Sequence, residues 1–193
     1  ALSGSVAAVL AGTGSLTKQG AGEVLLQSAS TYTGGTFLNE GSLRLAASER
    51  LADTGLLTIS GGTFELGGFK ETLAEVSLQG GLIRNGTLLA GIFTVFAGTV
   101  DAELAGTGGS LSKKGAGTVV LNKASSYSGG TFVEDGVLEL GLSNAFAAAG
   151  SLQISGGEVA LGSTTQTIGA FRMTGGLVSG GTLFGASYVL EAG

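Results

Sequence analysis

The chain has no Cys, His, Trp or Pro among its 193 residues, and a single Met. Each absence closes a class of chemistry. Without Cys there is no disulfide framework, thiolate metal site or cysteine nucleophile. Without His there is no Ser-His-Asp triad, histidine base or His-ligated zinc. Charged residues are also scarce, at 12%, about half of the ~25% usual for a soluble domain. Nine Lys and Arg stand against fourteen Asp and Glu, a net charge of −5. An acidic chain with no basic run is a poor partner for nucleic acid or an anionic membrane. No apolar run approaches the ~18 residues of a membrane-spanning helix. What is abundant is Gly, 38 residues. It has neither the Gly-X-Y period nor the Pro of collagen. A 43% hydrophobic fraction with so little charge argues for a packed core rather than disorder.

Internal repetition organises the sequence. Residues 15–98 align with 110–193 at a constant offset of 95, and 37 of those 84 pairs are identical. Val6–Gly14 matches Val100–Gly108 at an offset of 94, with Gly109 as the extra residue. The expected division is therefore a first unit, 1–98, and a second, 99–193, in one continuous structure. A shorter period lies inside each unit. Leu38, Leu57, Val76 and Val95 are 19 apart, which predicts five coils per unit and about ten in the chain.

Local texture supports strands. Leu57-Thr58-Ile59, Val76-Ser77-Leu78 and Ser42-Leu43-Arg44-Leu45 alternate as half-buried strands do, and Gly61-Gly62, Gly80-Gly81 and Asp135-Gly136 separate such segments. Ala46–Asp53 and its counterpart Leu142–Ala149 are too short for more than a loop or a single turn. A coil of about 19 residues is too short for a β-α-β crossover. It suits short strands joined by Gly-rich corners, stacked as a parallel β-solenoid. Pro would remove a donor that the next coil needs, so its absence fits. The alternative, a β-sandwich or propeller, predicts antiparallel hairpins and leaves the 19-residue step unexplained.

One segment has a more specific pattern. Gly12-Thr13-Gly14-Ser15-Leu16-Thr17-Lys18-Gln19-Gly20-Ala21-Gly22-Glu23-Val24-Leu25-Leu26 precedes Tyr32-Thr33-Gly34-Gly35-Thr36 and Gly41-Ser42-Leu43-Arg44-Leu45, and the order recurs from Gly106 to Leu140. It resembles the autotransporter-associated β-strand repeat, of form G-x-G-x-L-x-K-x-G-x-G-x-L-x-L, then N-x-Y-x-G-G-T. Ser30 and Ser125 stand where that family usually has Asn. The resemblance implies a right-handed parallel β-helix from the passenger of a type V-secreted bacterial surface protein. It also implies export to the cell surface of a Gram-negative, outer-membrane-bearing cell. Its motif residues here are Lys18, Gly20, Gly22, Tyr32, Gly34, Gly35 and Thr36, and in the second copy Lys113, Gly115, Gly117, Tyr127, Gly129, Gly130 and Thr131. Many members are adhesins, but the motif implies no particular activity.

Motifs of catalysis are missing. There is no G-x-S-x-G elbow and no P-loop, and Gly12-Thr13-Gly14 and Gly20-Ala21-Gly22 lack the third Gly of a dinucleotide fingerprint. The acids are scattered. Glu134-Asp135 are adjacent, yet neighbours on a strand face opposite sides, and a solvated turn is expected. Lys18 and Lys113 are expected to point outward, keeping a strand soluble, with a sugar- or phosphate-binding cation as the alternative. Tyr32 and Tyr127 are expected to cover the Gly-Gly backbone or stack in the core, and Phe37, Phe64, Phe69, Phe93, Phe96, Phe132, Phe146, Phe171 and Phe184 are core candidates. Asn85-Gly86-Thr87 has the form of a glycosylation sequon and reads as a turn.

No catalytic, cofactor or metal residue is expected. Apolar runs near both ends, Val6–Leu10 and Tyr188–Leu190, read as uncapped coils, so a segment of a longer array is expected. The expected role is a structural rod of a surface adhesin, fibre or coat, its partners being further copies of the repeat stacked end to end. The alternatives are a module whose flat face binds glycans or host proteins, marked by a solvent-facing aromatic or Asn/Thr ladder, and a polysaccharide-active enzyme, which needs acids converging in a groove.

Overall fold

A computed structural model describes residues 3–191. Ala1 and Gly193, which the sequence register sets opposite Val95 and Gly98, lie outside the described residues. Seventeen strands and no helix occur among the described residues. Every strand pairing is parallel, and all strands join one continuous sheet. The predicted β-solenoid is the observed fold, and its parallel ladders exclude a hairpin-built sandwich or propeller.

The first face carries Leu16–Lys18, Thr36–Leu38, Leu56–Ile59, the ends of Lys70–Leu78 and Leu82–Val95, then Ser110–Lys113, Thr131–Val133 and Leu152–Ile154. Ascending it, the stacked residues are Leu16, Thr36, Leu57, Val76, Phe93, Leu111, Thr131, Leu152, Phe171 and Tyr188. These ten rungs span about 43 Å at ~4.8 Å each. The steps are 20, 21, 19, 17 and 18 residues, and then 20, 21, 19 and 17 again. The mean is the predicted 19. The individual ladder read from sequence, however, mixes two columns. Leu57 stacks on Val76, but Leu38 stacks on Ile59 and Val95 on Leu78. The physical reason lies on the third side of the coil. In the long steps that side is an irregular loop, 46–55 or 122–130, whereas in the shorter coils it is a strand such as Lys70–Leu73 paired with Thr87–Ala90. Ala46–Asp53 and Leu142–Ala149 form bends and turns without helix, as expected.

Alternation sends inward the first and third residues of the three-residue strands on the first face and the second and fourth of the four-residue strands. Leu38, Leu57, Ile59, Val76, Leu78, Phe93, Val95, Leu111, Val133, Leu152 and Ile154 are buried as a result. The second face adds Leu43, Phe64, Ile83, Val100, Val119, Leu138 and Val159. Phe64, Phe93, Phe146 and Phe171 join this core, as expected. Five other Phe do not. Phe37, Phe96 and Phe132 are half-buried. Phe37 and Phe132 are the middle residues of three-residue strands, the outward position. Phe69 is 36% exposed at a turn after Gly67-Gly68, and Phe184 is 58% exposed because it shares the outward column of Thr167.

Leu152 sits fully buried between Thr131 and Phe171 in the stack. Leu152→Ala is expected to cost about 2–5 kcal/mol, because neighbouring coils are tied by the ladder and cannot collapse into the void. Urea unfolding followed by far-UV circular dichroism measures the loss.

Candidate functional site

The inward column two residues along the first face contains the chain's most unusual placement. It runs Lys18, Leu38, Ile59, Leu78, Val95, Lys113, Val133, Ile154. Two lysines therefore occupy positions that are otherwise aliphatic. Lys18 is 5% exposed and Lys113 0%, which overturns the expectation that they point outward. The geometry shows why each can be buried. Lys18 Nζ donates to the carbonyls of Gln19 (3.0 Å), Gly20 (2.5 Å) and Glu40 (3.0 Å). Lys113 Nζ donates to those of Lys114 (2.9 Å), Gly115 (2.5 Å) and Asp135 (3.0 Å). An ammonium has three donors and no acceptor, so every donor is used. Two acceptors lie on the lysine's own corner and one on the next coil, so the ammonium stitches the two coils together. Burial pulls the Lys113 ammonium below its ordinary value, with Asp135 opposing.

The glycines around each ammonium follow from it. A Cβ on Gly136 would meet the carbonyls of Gly115 and Gly117 and Lys113 Nζ itself, and a Cβ on Gly41 would meet the equivalent set in the first unit. Gly41 and Gly136 also have φ of 70° and 66°, the left-handed region that favours Gly. The remaining motif glycines carry the ladder around corners. Ser42 N–H donates to Gly22 and Val137 N–H to Gly117, while Leu16 N–H donates to Gly35 and Leu111 N–H to Gly130. Gly34 and Gly129 lie so close to the coil below that a Cβ would meet the backbone of Gly14 and Gly108.

Tyr32 and Tyr127 are core residues, 3% and 1% exposed. Each hydroxyl shares a hydrogen bond with the buried Thr four residues on, Thr36 at 2.5 Å and Thr131 at 2.7 Å. Burial pushes the Tyr127 phenol up to about 12. The Tyr ring thus fills the loop side of the coil and its polar tip is matched by a Thr, not by solvent. Neither ring is available to a ligand.

A second buried polar pair escaped the sequence reading. Glu71 and Gln166 are 95 apart and both 0% exposed. Glu71 accepts the backbone N–H groups of Arg50 and Leu51, each at 2.8 Å. Gln166 accepts those of Ala145 (2.8 Å) and Phe146 (3.4 Å), and its amide donates to Leu142 O and Thr164 Oγ1. Each side chain pins the irregular loop of the coil beneath it. Burial pushes the Glu71 carboxyl up to about 7, and the charges of Glu49 and Asp53 add to this; the two N–H donors act against both. The signal was present in the sequence as an isosteric Glu/Gln exchange between aligned positions in a chain poor in charge.

On the second face charges alternate across rungs: Arg44, Glu65, Arg84 and Asp101 are cross-strand partners in that order. Arg84 Nε donates to Glu65 Oε2 at 2.5 Å and Asn85 Nδ2 to the same oxygen at 3.1 Å. Burial would raise the Glu65 carboxyl, but bonds from Asn85, Gly67 and Arg84 hold it below its ordinary value. Glu134 is exposed and ion-paired with Lys114 at 3.4 Å. Among the described residues, no three or more His, Cys, Asp or Glu converge as a metal-binding group, and no helix is long and apolar enough to cross a membrane.

The passenger-associated-transport-repeat family matches residues 16–45 and 111–140, the two stretches that contain these lysines, glycines and tyrosines. The adhesin BmaC autotransporter of Brucella suis biovar 1 (strain 1330) is 36% identical over 135 residues. That match takes in 66% of this chain and 4% of the adhesin's length. No solved structure matches the chain.

Two outcomes follow from the buried polar groups. Lys113→Met keeps the stem and removes the ammonium, leaving three carbonyls without a donor. It is expected to cost about 2–4 kcal/mol, read as a lower urea midpoint. Glu71 binds its proton more tightly folded (about 7) than at its ordinary value of 4.5. Its contribution to stability is therefore fully present below 4.5 and is lost as pH rises through 7. Glu71→Gln is expected to raise the melting temperature at pH 8 and to leave it little changed at pH 4.5; Gln166→Glu is expected to add a second loss of the same sign, lowering the melting temperature at pH 8. Thermal unfolding at the two pH values checks both, with Gln166→Glu expected to melt lower at pH 8 than at pH 4.5, as a second buried carboxyl would.

Proposed function

We propose that this chain, which carries two autotransporter passenger-associated transport repeats, is a rigid, non-catalytic section of an exported bacterial surface adhesin. The observation that carries the reading is the unbroken parallel ladder from Gly4–Val6 to Leu177–Leu190. A structure built this way extends in one dimension, and each coil templates the next. The second unit docks on the first through the ladder that joins coils within a unit: Phe93 pairs with Leu111, and Val95 with Lys113. Further copies of the repeat are thus its natural end-to-end partners. The name of the Brucella relative supports placing the chain at the cell surface, on the outer membrane of a Gram-negative cell.

The motif residues serve this rod. Lys18 and Lys113 tie coil to coil without a metal or disulfide, and the two units carry the same set. Glu49, Glu65, Glu134 and Glu191 are ion-paired and Glu71 pins a loop, roles suited to holding a scaffold.

Small-angle scattering tests the rod. Duplicating the 95-residue unit in tandem is expected to lengthen the particle by about 24 Å, five rungs of ~4.8 Å, at constant cross-section. An unchanged maximum dimension, or growth in all directions, would sink the proposal.

A further inference from the structure

The outward side of the first face in the second unit carries a groove of about 200 Å³. Its outward-facing lining comes from three successive rungs: Phe132 and Glu134, Gln153 and Ser155, Arg172 and Thr174. The register explains the convergence. Phe132, Gln153 and Arg172 are cross-strand partners, and Ser155 and Thr174 follow in the next outward column, each N–H bonded to the rung below. The floor and walls span about 10 Å, two rung spacings.

We propose that this groove binds an uncharged oligosaccharide. The chemistry of the lining selects that class. Phe132 is half-buried and outward, offering a ring against which the C–H face of a sugar can rest. Around it stand a carboxylate, an amide, a guanidinium and two hydroxyls, the mixture of planar donors and acceptors that vicinal hydroxyls require. The local charge is balanced: Glu134 pairs with Lys114 at 3.4 Å, and Arg172 with Glu191 at 2.6 Å. An anionic or cationic ligand would have to break one of these pairs, whereas a neutral polyol bonds to both as they stand. The same six positions in the first unit are Phe37, Asn39, Thr58, Ser60, Ser77 and Gln79. The ring is kept there and no charge appears, so the surface again favours an uncharged partner. Rungs repeat along the rod at about the length of one pyranose, so an extended chain of sugars can lie along it in step.

This site goes beyond the rod, which stands or falls separately on its scattering length. The experiment applies the 193-residue chain to a printed array of neutral and anionic oligosaccharides. Binding to neutral members is expected, falling at least tenfold in Phe132→Ala and in Gln153→Ala and unchanged in Arg44→Ala on another face. Binding confined to anionic members, absence of binding, or binding that Phe132→Ala leaves intact overturns the proposal. Should Phe132→Ala melt at a lower temperature, the unaltered chain decides. Titrated with an array-positive neutral oligosaccharide, its amide NMR shifts are expected at 132–134, 153–155 and 172–174. Shifts confined to other faces overturn it.

Discussion

Every coil must hand its backbone N–H and C=O groups to the coil above and the coil below. That requirement governs the whole molecule. It leaves an interior only a few side chains wide, because each short strand sends two residues inward and the faces meet around one axis. It demands corners that return the chain in register, which only closely stacked, Cβ-free residues allow at Gly34, Gly41, Gly129 and Gly136. It also excludes Pro, whose missing donor would open the ladder at one rung.

Within that frame the two motif copies solve one local problem. At the corner after Lys18 or Lys113, several carbonyls point into a turn where no strand can reach them. A buried unpaired carbonyl costs more than a hydrogen bond returns. The ammonium supplies three donors at a single point, and it reaches them from an aliphatic column that its own stem completes. The Tyr and Thr of the motif do the corresponding work on the loop side, filling volume while satisfying each other. Glu71 and Gln166 fasten the long loop of the coil beneath each of them. Core and surface are therefore divided by hydrogen-bond demand as much as by polarity. Outward positions stay free to vary, and there Phe132, Gln153 and Arg172 meet.

The Lys18 and Lys113 placement shows where pattern reading stops. A charged residue in an alternating strand is normally the solvent side, so the period alone assigns it outward. Its true orientation follows from phase: Leu38 and Val133 stack on Lys18 and Lys113, and they point inward. The same phase error mixed Leu38 with Leu57 in one ladder. Coil lengths of 17 to 21 average to the period of 19 but shift columns by one or two residues, enough to change which side faces the core. Phe37, Phe132 and Phe184 obey the same rule: residue type argues for the core, and strand phase turns them outward.

The sequence by itself determined the architecture. A 95-residue repeat with a finer period near 19, abundant Gly and no Pro admits only short stacked strands, and the motif's Gly, Tyr and Lys spacing identified its kind. Burial of Tyr32 and Tyr127 and the absence of helix in the two Ala-rich loops were legible for the same reason, since both depend on local composition and period. Only the tertiary structure decided which rung meets which. The direction of each side chain depends on that register, and with it the three-carbonyl seat of the lysines, the Glu71 and Gln166 clamps, and the joining of three distant rungs into one groove. Those features belong to residues about 20 positions apart, brought level by loops whose length the period records but whose path it does not.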